Sequence, residues 1–196
     1  MLYTTEIITR EIPAAELLEK YHIPEIVLPL CKECPDYAHI WSCPPGTPSA
    51  DIFKKFRYAV IIGIKVIYSE EALLKAEESE ESTEAVRAET YGKVKRKVFG
   101  ALLKAEKMSP PSYTIAAGRC ELCRRCARLD GLFCRNPWAL RYSFSAFGFD
   151  MGRISDELLN TPLLWTDKGL PKYNMAIYAF LTNNEKMPAH KTEEPI

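Results

Sequence analysis

Tyr58-Ala-Val-Ile-Ile-Gly-Ile-Lys-Val-Ile-Tyr68 is apolar at nearly every position, with Lys65 its only charge. A strand with one wet face alternates apolar and polar residues, so this continuous run predicts a central strand covered on both sides. Helices on both faces are the usual cover, which points to a mixed α/β protein. The rest of the chain supplies the partners. Residues 2–9 are apolar and Thr-rich and suit an edge strand, and residues 113–117 and 173–181 read as two more strands. The expected fold class is α/β (α+β), a small mixed sheet of about four strands flanked by helices.

Helical signals fall between these strands. Pro13 sits where a first-turn proline would open a helix over 14–20, and residues 51–56 suit one or two helical turns. The stretch 70–107 is rich in Glu, Lys, Ala and Leu and reads as one long helix or two in series, with Tyr91, Val94, Val98 and Leu102 on one apolar face. Glu77, Glu78, Glu80, Glu81 and Glu84 crowd its front, and Lys93, Lys95, Arg96 and Lys97 its back, which complements a helix macrodipole. Such a charge run is expected to be a solvated face. Asn136 and Pro137 look like an N-cap and first position for a helix over 138–147, and Ser155 like the cap of a short helix ending at Asn160. No linker divides the chain, so we expect one metal-binding domain over 1–182 and a loose tail over 183–196.

All seven cysteines fall in two clusters, Cys31-x2-Cys34-x8-Cys43 and Cys120-x2-Cys123-x2-Cys126-x7-Cys134. A core scatters cysteine as a small apolar residue, whereas thiolates at two-residue spacings can converge on one metal. Residues 31–49 carry Pro35, Pro44, Pro45, Gly46 and Pro48, so this segment is a loop that something else must order. Residues 113–117 lead straight into the second cluster, delivering Gly118 and Cys120 to the sheet edge, and the two cysteine loops should meet at one end of the sheet.

Composition narrows the function. The chain has 196 residues with 26 basic and 26 acidic side chains, so a nucleic acid is not expected as partner. No stretch reaches the roughly 18 apolar residues of a membrane span, and Met1 to Arg10 lacks a basic segment followed by an apolar one. A cytoplasmic location is expected. There, cysteines without metal stay reduced, and an odd count fits a disulfide framework poorly. No Gly-rich phosphate loop, Ser/His/Asp order or His-Glu-x-x-His helix occurs, and His22, His39 and His190 are the only imidazoles.

Three evenly stepped cysteines and a fourth further on suit a [4Fe–4S] cluster held by Cys120, Cys123, Cys126 and Cys134, with Gly131 turning the chain back toward Cys134. Zinc is the competing metal, although structural zinc sites more often combine two Cys-x2-Cys knuckles. Arg119, Arg124, Arg125, Arg128 and Arg135 crowd the same loop, where they could offset cluster charge, bind an anion or simply face water. Cys31, Cys34 and Cys43 leave a position open. His39 could fill it, since Cys31-x2-Cys34-x4-His39-x3-Cys43 is one residue short of a zinc knuckle. Alternatively, three thiolates hold a cluster with one iron open to substrate, or Cys43 and Cys134 exchange sites, as the cysteine before proline does in two-cluster ferredoxins. Tyr37, Trp41, Phe133, Trp138, Tyr142 and Phe144 near the loops are expected chiefly to pack the core.

Cys31-x2-Cys34-Pro35-x-Tyr37, then Trp41-Ser42-Cys43-Pro44-Pro45, then Gly118-x-Cys120-x2-Cys123-x2-Cys126 and Cys134-Arg135-x-Pro137 resemble an uncharacterised prokaryotic family of predicted metal-binding proteins. The likeness spans roughly residues 29–150. It implies iron–sulfur or other metal binding. That family does not require a histidine where His39 stands, and this chain departs from it after Pro137 with Trp138-Ala-Leu-Arg-Tyr-Ser. The expected function is an iron–sulfur protein with one or two [4Fe–4S] clusters and a redox partner protein; the rival is a structural or regulatory zinc protein acting through a partner.

Overall fold

The run 58–68 is an interior strand, as its composition predicts. A computed structural model describes residues 1–184. Strands β1 (Tyr3–Pro13), β2 (Tyr58–Tyr68), β3 (Ser112–Ile115) and β4 (Tyr173–Thr182) form one sheet in the order β1-β2-β4-β3. The sheet of four strands with helices around it matches the expected class. Its pairing, however, is antiparallel throughout rather than mixed. β2 and β3 do point the same way, joined by the helical stretch between them, but β4 inserts between the two and pairs antiparallel with both.

Each face of the sheet carries its own core. Ala59, Ile61, Ile177, Ala179 and Leu181 pack with Phe53, Phe144, Phe149, Ile154 and Leu159 on one side. Val60, Ile62, Ile64, Val66, Tyr178 and Phe180 pack with Ala72, Ala76, Val86, Val94 and Leu102 on the other. Alternate residues of one strand thus feed both layers, which explains why β2 shows no polar alternation. Gly63 lies where a Cβ would sit 2.8 Å from Leu159 Cδ1, so the absent side chain lets Leu159 seat on the sheet.

On the first face lie α1 (Ala14–Tyr21), α2 (Pro24–Cys31) and a 3₁₀ helix, Ala50–Lys55. The second face is covered by α3 (Glu70–Glu77), α4 (Glu80–Arg87) and α5 (Lys93–Met108), with a π-helical turn, Ala88–Gly92, joining α4 to α5. The expected one or two helices over 70–107 are therefore three. Ser79 makes the break, because its Oγ accepts the Ser82 N–H at 3.1 Å and caps a new helix. The apolar face is as expected, but Lys95 is not solvated with its neighbours; it is buried. The Pro29-containing α2 was not expected, and it delivers Cys31 as its last residue.

Two helix expectations fail. No helix runs over 138–147: the Ala116 N–H donates to Tyr142 O at 2.9 Å, and Ala116 bridges Ser143, so pairing beyond β3 overrides the local capping signal. Only a 3₁₀ turn, Ser145–Phe147, remains there. Ser155 is not a cap either. It is buried with its Oγ–H on Thr161 O, while Asp150 accepts the Arg153 N–H at 3.1 Å and caps α6 (Met151–Arg153), which continues into a π turn, Ile154–Leu158. At the far end, Asn183 Oδ1 accepts the Arg57 N–H at 2.8 Å, so this first residue of the expected tail is tied to the domain. Residues 185–196 of that tail lie outside the described residues. Among the described residues no helix is long and apolar enough to cross a membrane.

Candidate metal centre

Loop 31–46 leaves α2 in a chain of tight turns. The Cys34 N–H donates to Cys31 O at 3.1 Å, Tyr37 N–H to Cys34 O at 3.0 Å and Cys43 N–H to Ile40 O at 3.0 Å, while Ala38 N–H closes the loop on Pro44 O at 2.8 Å. Prolines leave few donors for longer-range pairing, so the segment bonds to itself. It is seated on the 3₁₀ turn Ser145–Phe147, where Thr47 Oγ1 donates to Ala146 O at 3.1 Å and the Cys31 thiol lies 3.8 Å from Ser145 O.

Loop 118–136 leaves the end of edge strand β3. Gly118 (φ +65°) and Gly131 (φ +68°) take left-handed conformations that side-chain-bearing residues rarely adopt, and Gly131 ends the 3₁₀ turn Ala127–Asp130 to send the chain back toward Cys134. A part-buried ion pair ties the loop to α5: Lys95 Nζ donates to Glu121 Oε1 at 2.8 Å.

The two loops interlock, as the sequence leads one to expect. Cys120 N–H donates to the buried Ser42 Oγ at 2.8 Å, and Trp41 Nε1–H donates to Leu132 O at 3.0 Å. Arg119 reaches Asp36 at 3.0 Å. Arg128 does most of the joining, donating to Ile40 O at 3.0 Å, Cys43 O at 2.9 Å and Pro45 O at 2.7 Å, with its guanidinium 4.8 Å from the Trp41 ring centre. Ser42 and Asn136 are functional candidates that the cysteine spacings do not reveal. Asn136, expected as a helix cap, instead aims Nδ2–H at Cys123 Sγ (3.2 Å) and its backbone N–H at Cys134 Sγ (3.4 Å).

All seven cysteines are free thiols, Cys34 exposed and the other six half-buried. Burial pushes Cys43 up to about 11, and its neighbours Asp36, Cys34 and Cys31 add to the rise against the opposing Ser42 hydrogen bond. Burial likewise raises Cys120, with Cys134, Cys123 and Cys126 contributing, and raises Cys31. These influences fall within each cluster: Cys43 responds to the first set and Cys120 to the second. Among the described residues, no three Cys, His, Asp or Glu side chains converge closely enough to hold a metal ion as they stand.

The donor chemistry nonetheless fits a thiolate-bound centre. Buried thiols ionise readily only beside a cation, and N–H groups directed at sulfur stabilise thiolate ligands. Asn136 provides two such groups on the second loop. On the first, Nδ1 of the exposed His39 lies 2.8 Å from Pro35 O; since a carbonyl only accepts, Nδ1 carries the proton and a neutral ring keeps its lone pair on Nε2. Of the nearby aromatics, Phe144 is in the core as expected, but Phe133 and Trp138 are 92% and 70% exposed. These two rings therefore do not pack the core, contrary to expectation.

Fold and loops together define a class: an α/β sandwich with its potential metal donors gathered as thiols on two interlocked loops. The chain belongs to the family described as predicted metal-binding protein (DUF2284), whose match runs over residues 18–181 and so includes both loops. No curated protein and no solved structure matches it.

Proposed function

We propose that the chain is an iron–sulfur protein, with a [4Fe–4S] cluster held by Cys120, Cys123, Cys126 and Cys134 and a second centre at Cys31, Cys34 and Cys43. The observation that carries this reading is Asn136, which donates to the sulfurs of both Cys123 and Cys134 and so serves a loop whose three evenly stepped cysteines suit a cube. When bound, such a cluster supplies one-electron transfer or, at an iron with an open position, substrate chemistry. The protein's part is to direct N–H groups at sulfur, to fix one loop against the other through Arg128 and Ser42, and to hold the thiols half-buried. Exposed Phe133, Trp138, Leu132 and Leu129 offer a redox partner protein an apolar landing beside the second loop. A cytoplasmic setting, which keeps thiols reduced until metallated, agrees with this chemistry.

His39 favours one alternative. With its proton on Nδ1, Nε2 is free to join Cys31, Cys34 and Cys43 as a zinc ligand, in a structural or regulatory protein acting through a partner. Anaerobic purification followed by iron, zinc and acid-labile sulfide analysis separates the two. Brown protein with iron and sulfide, bleached by reductant, supports the cluster, and Cys123→Ser then removes one centre's signal. A colourless protein with zinc and no sulfide refutes it and supports the alternative.

A further inference from the structure

A cleft of about 920 Å³ opens between the α4–α5 wall and loop 118–136, and all four cysteines of that loop line it. Its walls are strongly cationic in a chain whose net charge is zero. Arg87, Lys95 and Arg96 line it from the helices, Arg119, Arg124, Arg125 and Arg135 from the loop, against the carboxylates of Glu84 and Glu121 only. Seven cations thus face two acids; Asp36 and Asp130, from outside the cleft lining, pair with Arg119 and Arg125, which leaves an excess of three.

Two further features mark the cleft as more than a charged surface. Its helical wall includes the π turn Ala88–Gly92, and such single-turn bulges concentrate at functional sites. Glu121 Oε1 is held by Lys95, while Oε2 is buried with no hydrogen bond and has the Arg96 guanidinium 3.9 Å away as an ion-pair neighbour. A buried acceptor without a hydrogen bond costs free energy that a ligand hydroxyl could recover. Trp41, Tyr91 and Leu140 add apolar wall.

We propose that this cleft binds a metabolite-sized polyanion, carrying at least two carboxylate or phosphate groups and a hydroxyl, and presents it to the centre at Cys120, Cys123, Cys126 and Cys134. Arginine forks from both walls take the anionic groups, since their planar donors match carboxylate and phosphate oxygens, and Glu121 Oε2 takes the hydroxyl proton as a hydrogen bond. The proposal goes beyond the iron–sulfur reading and does not depend on which metal the loop holds.

The test is calorimetric titration of the metal-replete protein, isolated anaerobically, with 3-phosphoglycerate and with succinate at low salt. Saturable binding is expected for both, tighter for 3-phosphoglycerate, which also brings a hydroxyl; glycerol does not bind. Arg96→Gln, on the helical wall, weakens binding about tenfold, the usual loss for one charge-assisted contact. An Arg10→Gln variant, which removes the same charge on the distant β1 strand, leaves it unchanged. Arg124→Gln with Arg135→Gln abolishes binding. Metal and sulfide content, measured on every sample, reports the centre separately from the cleft. Absence of saturable binding by the wild-type protein overturns the proposal, as does an Arg96→Gln effect no larger than that of Arg10→Gln.

Discussion

Arg128→Ala is the sharpest test of how the two cysteine loops are joined. Its guanidinium donates to the carbonyls of Ile40, Cys43 and Pro45 at 3.0, 2.9 and 2.7 Å and stacks 4.8 Å from the Trp41 ring centre. A hydrogen bond from a charged donor contributes about 1.5–3 kcal/mol, but Arg128 is only half-buried and water takes over the released carbonyls, so about 1 kcal/mol each is the better figure. With about 0.5–1 kcal/mol for the stacked ring, the clamp contributes roughly 4 kcal/mol. Because the clamp joins loop to loop and not sheet to helix, its loss is local: loop 31–46 opens while the two cores persist. At about 1.4 kcal/mol per tenfold, opening becomes several hundred times more frequent. Amide hydrogen exchange reads this at the Ala38 and Cys43 N–H groups, which bond to Pro44 O and Ile40 O. Arg128→Lys keeps the charge but not the fork, and falls between wild type and alanine. Exchange at both amides within about twofold of wild type in Arg128→Ala would refute the clamp, since even one lost bond exceeds that change.

Glu106→Ala strips the partner from Arg141 in an ion pair whose two side chains are each 13% exposed, and also frees the Thr114 N–H that Glu106 Oε2 accepts at 2.8 Å; denaturant unfolding should show a loss of about 3–5 kcal/mol, and a loss under about 1 kcal/mol would mean that the pair is solvated. Asn136→Ala removes the Nδ2–H from Cys123 Sγ but keeps the backbone N–H on Cys134 Sγ, so a bound cluster should be retained with its reduction potential moved negative; an unchanged potential in voltammetry counts against that contact. Burial pushes Tyr68 and Tyr113 up to about 12 from 10.0 and raises Tyr91 and Tyr178 further. The folded chain therefore holds these phenolic protons more tightly than the unfolded chain does, so their stabilisation is complete below pH 10 and is lost as pH rises through 10 to 12. Stability that stays flat across that window, followed by tyrosinate absorbance and denaturant melts together, would place these phenols in water.

The strands were the legible part of the fold because their signal is local and double. β2 and β4 are buried on both faces, and a continuous apolar run is the direct consequence of that burial. Helix ends were legible only where nothing competed. The helix expected over 14–20 forms as α1, Ala14–Tyr21, whereas the Asn136-Pro137 signal lost to pairing between Ala116 and the 142–143 segment, and the Ser79 cap that divides 70–107 was not read from the sequence. The antiparallel pairing was hidden for a similar reason. β2 and β3 point the same way, and only the insertion of β4, more than fifty residues later in the chain, makes every pairing among the four strands antiparallel.

At the candidate site, cysteine spacing carried the donor set, but the roles of the surrounding residues depend on which loop faces which. Five arginines occur within the 119–135 segment and look interchangeable in sequence. Topology separates them: Arg128 turns toward loop 31–46 and clamps its carbonyls, Arg119 and Arg125 are neutralised by Asp36 and Asp130, and Arg124 and Arg135 line the cleft. Lys95 shows the same principle from the helical side. In sequence it belongs to a solvated basic run with Lys93 and Lys97, yet the antiparallel insertion of β4 brings β3, and with it Glu121, against α5, where Lys95 becomes the buried end of an ion pair. The same strand order thus decides both the pairing of the sheet and which charges surround the thiols, so the electrostatics of this loop cannot be read without the fold that delivers it.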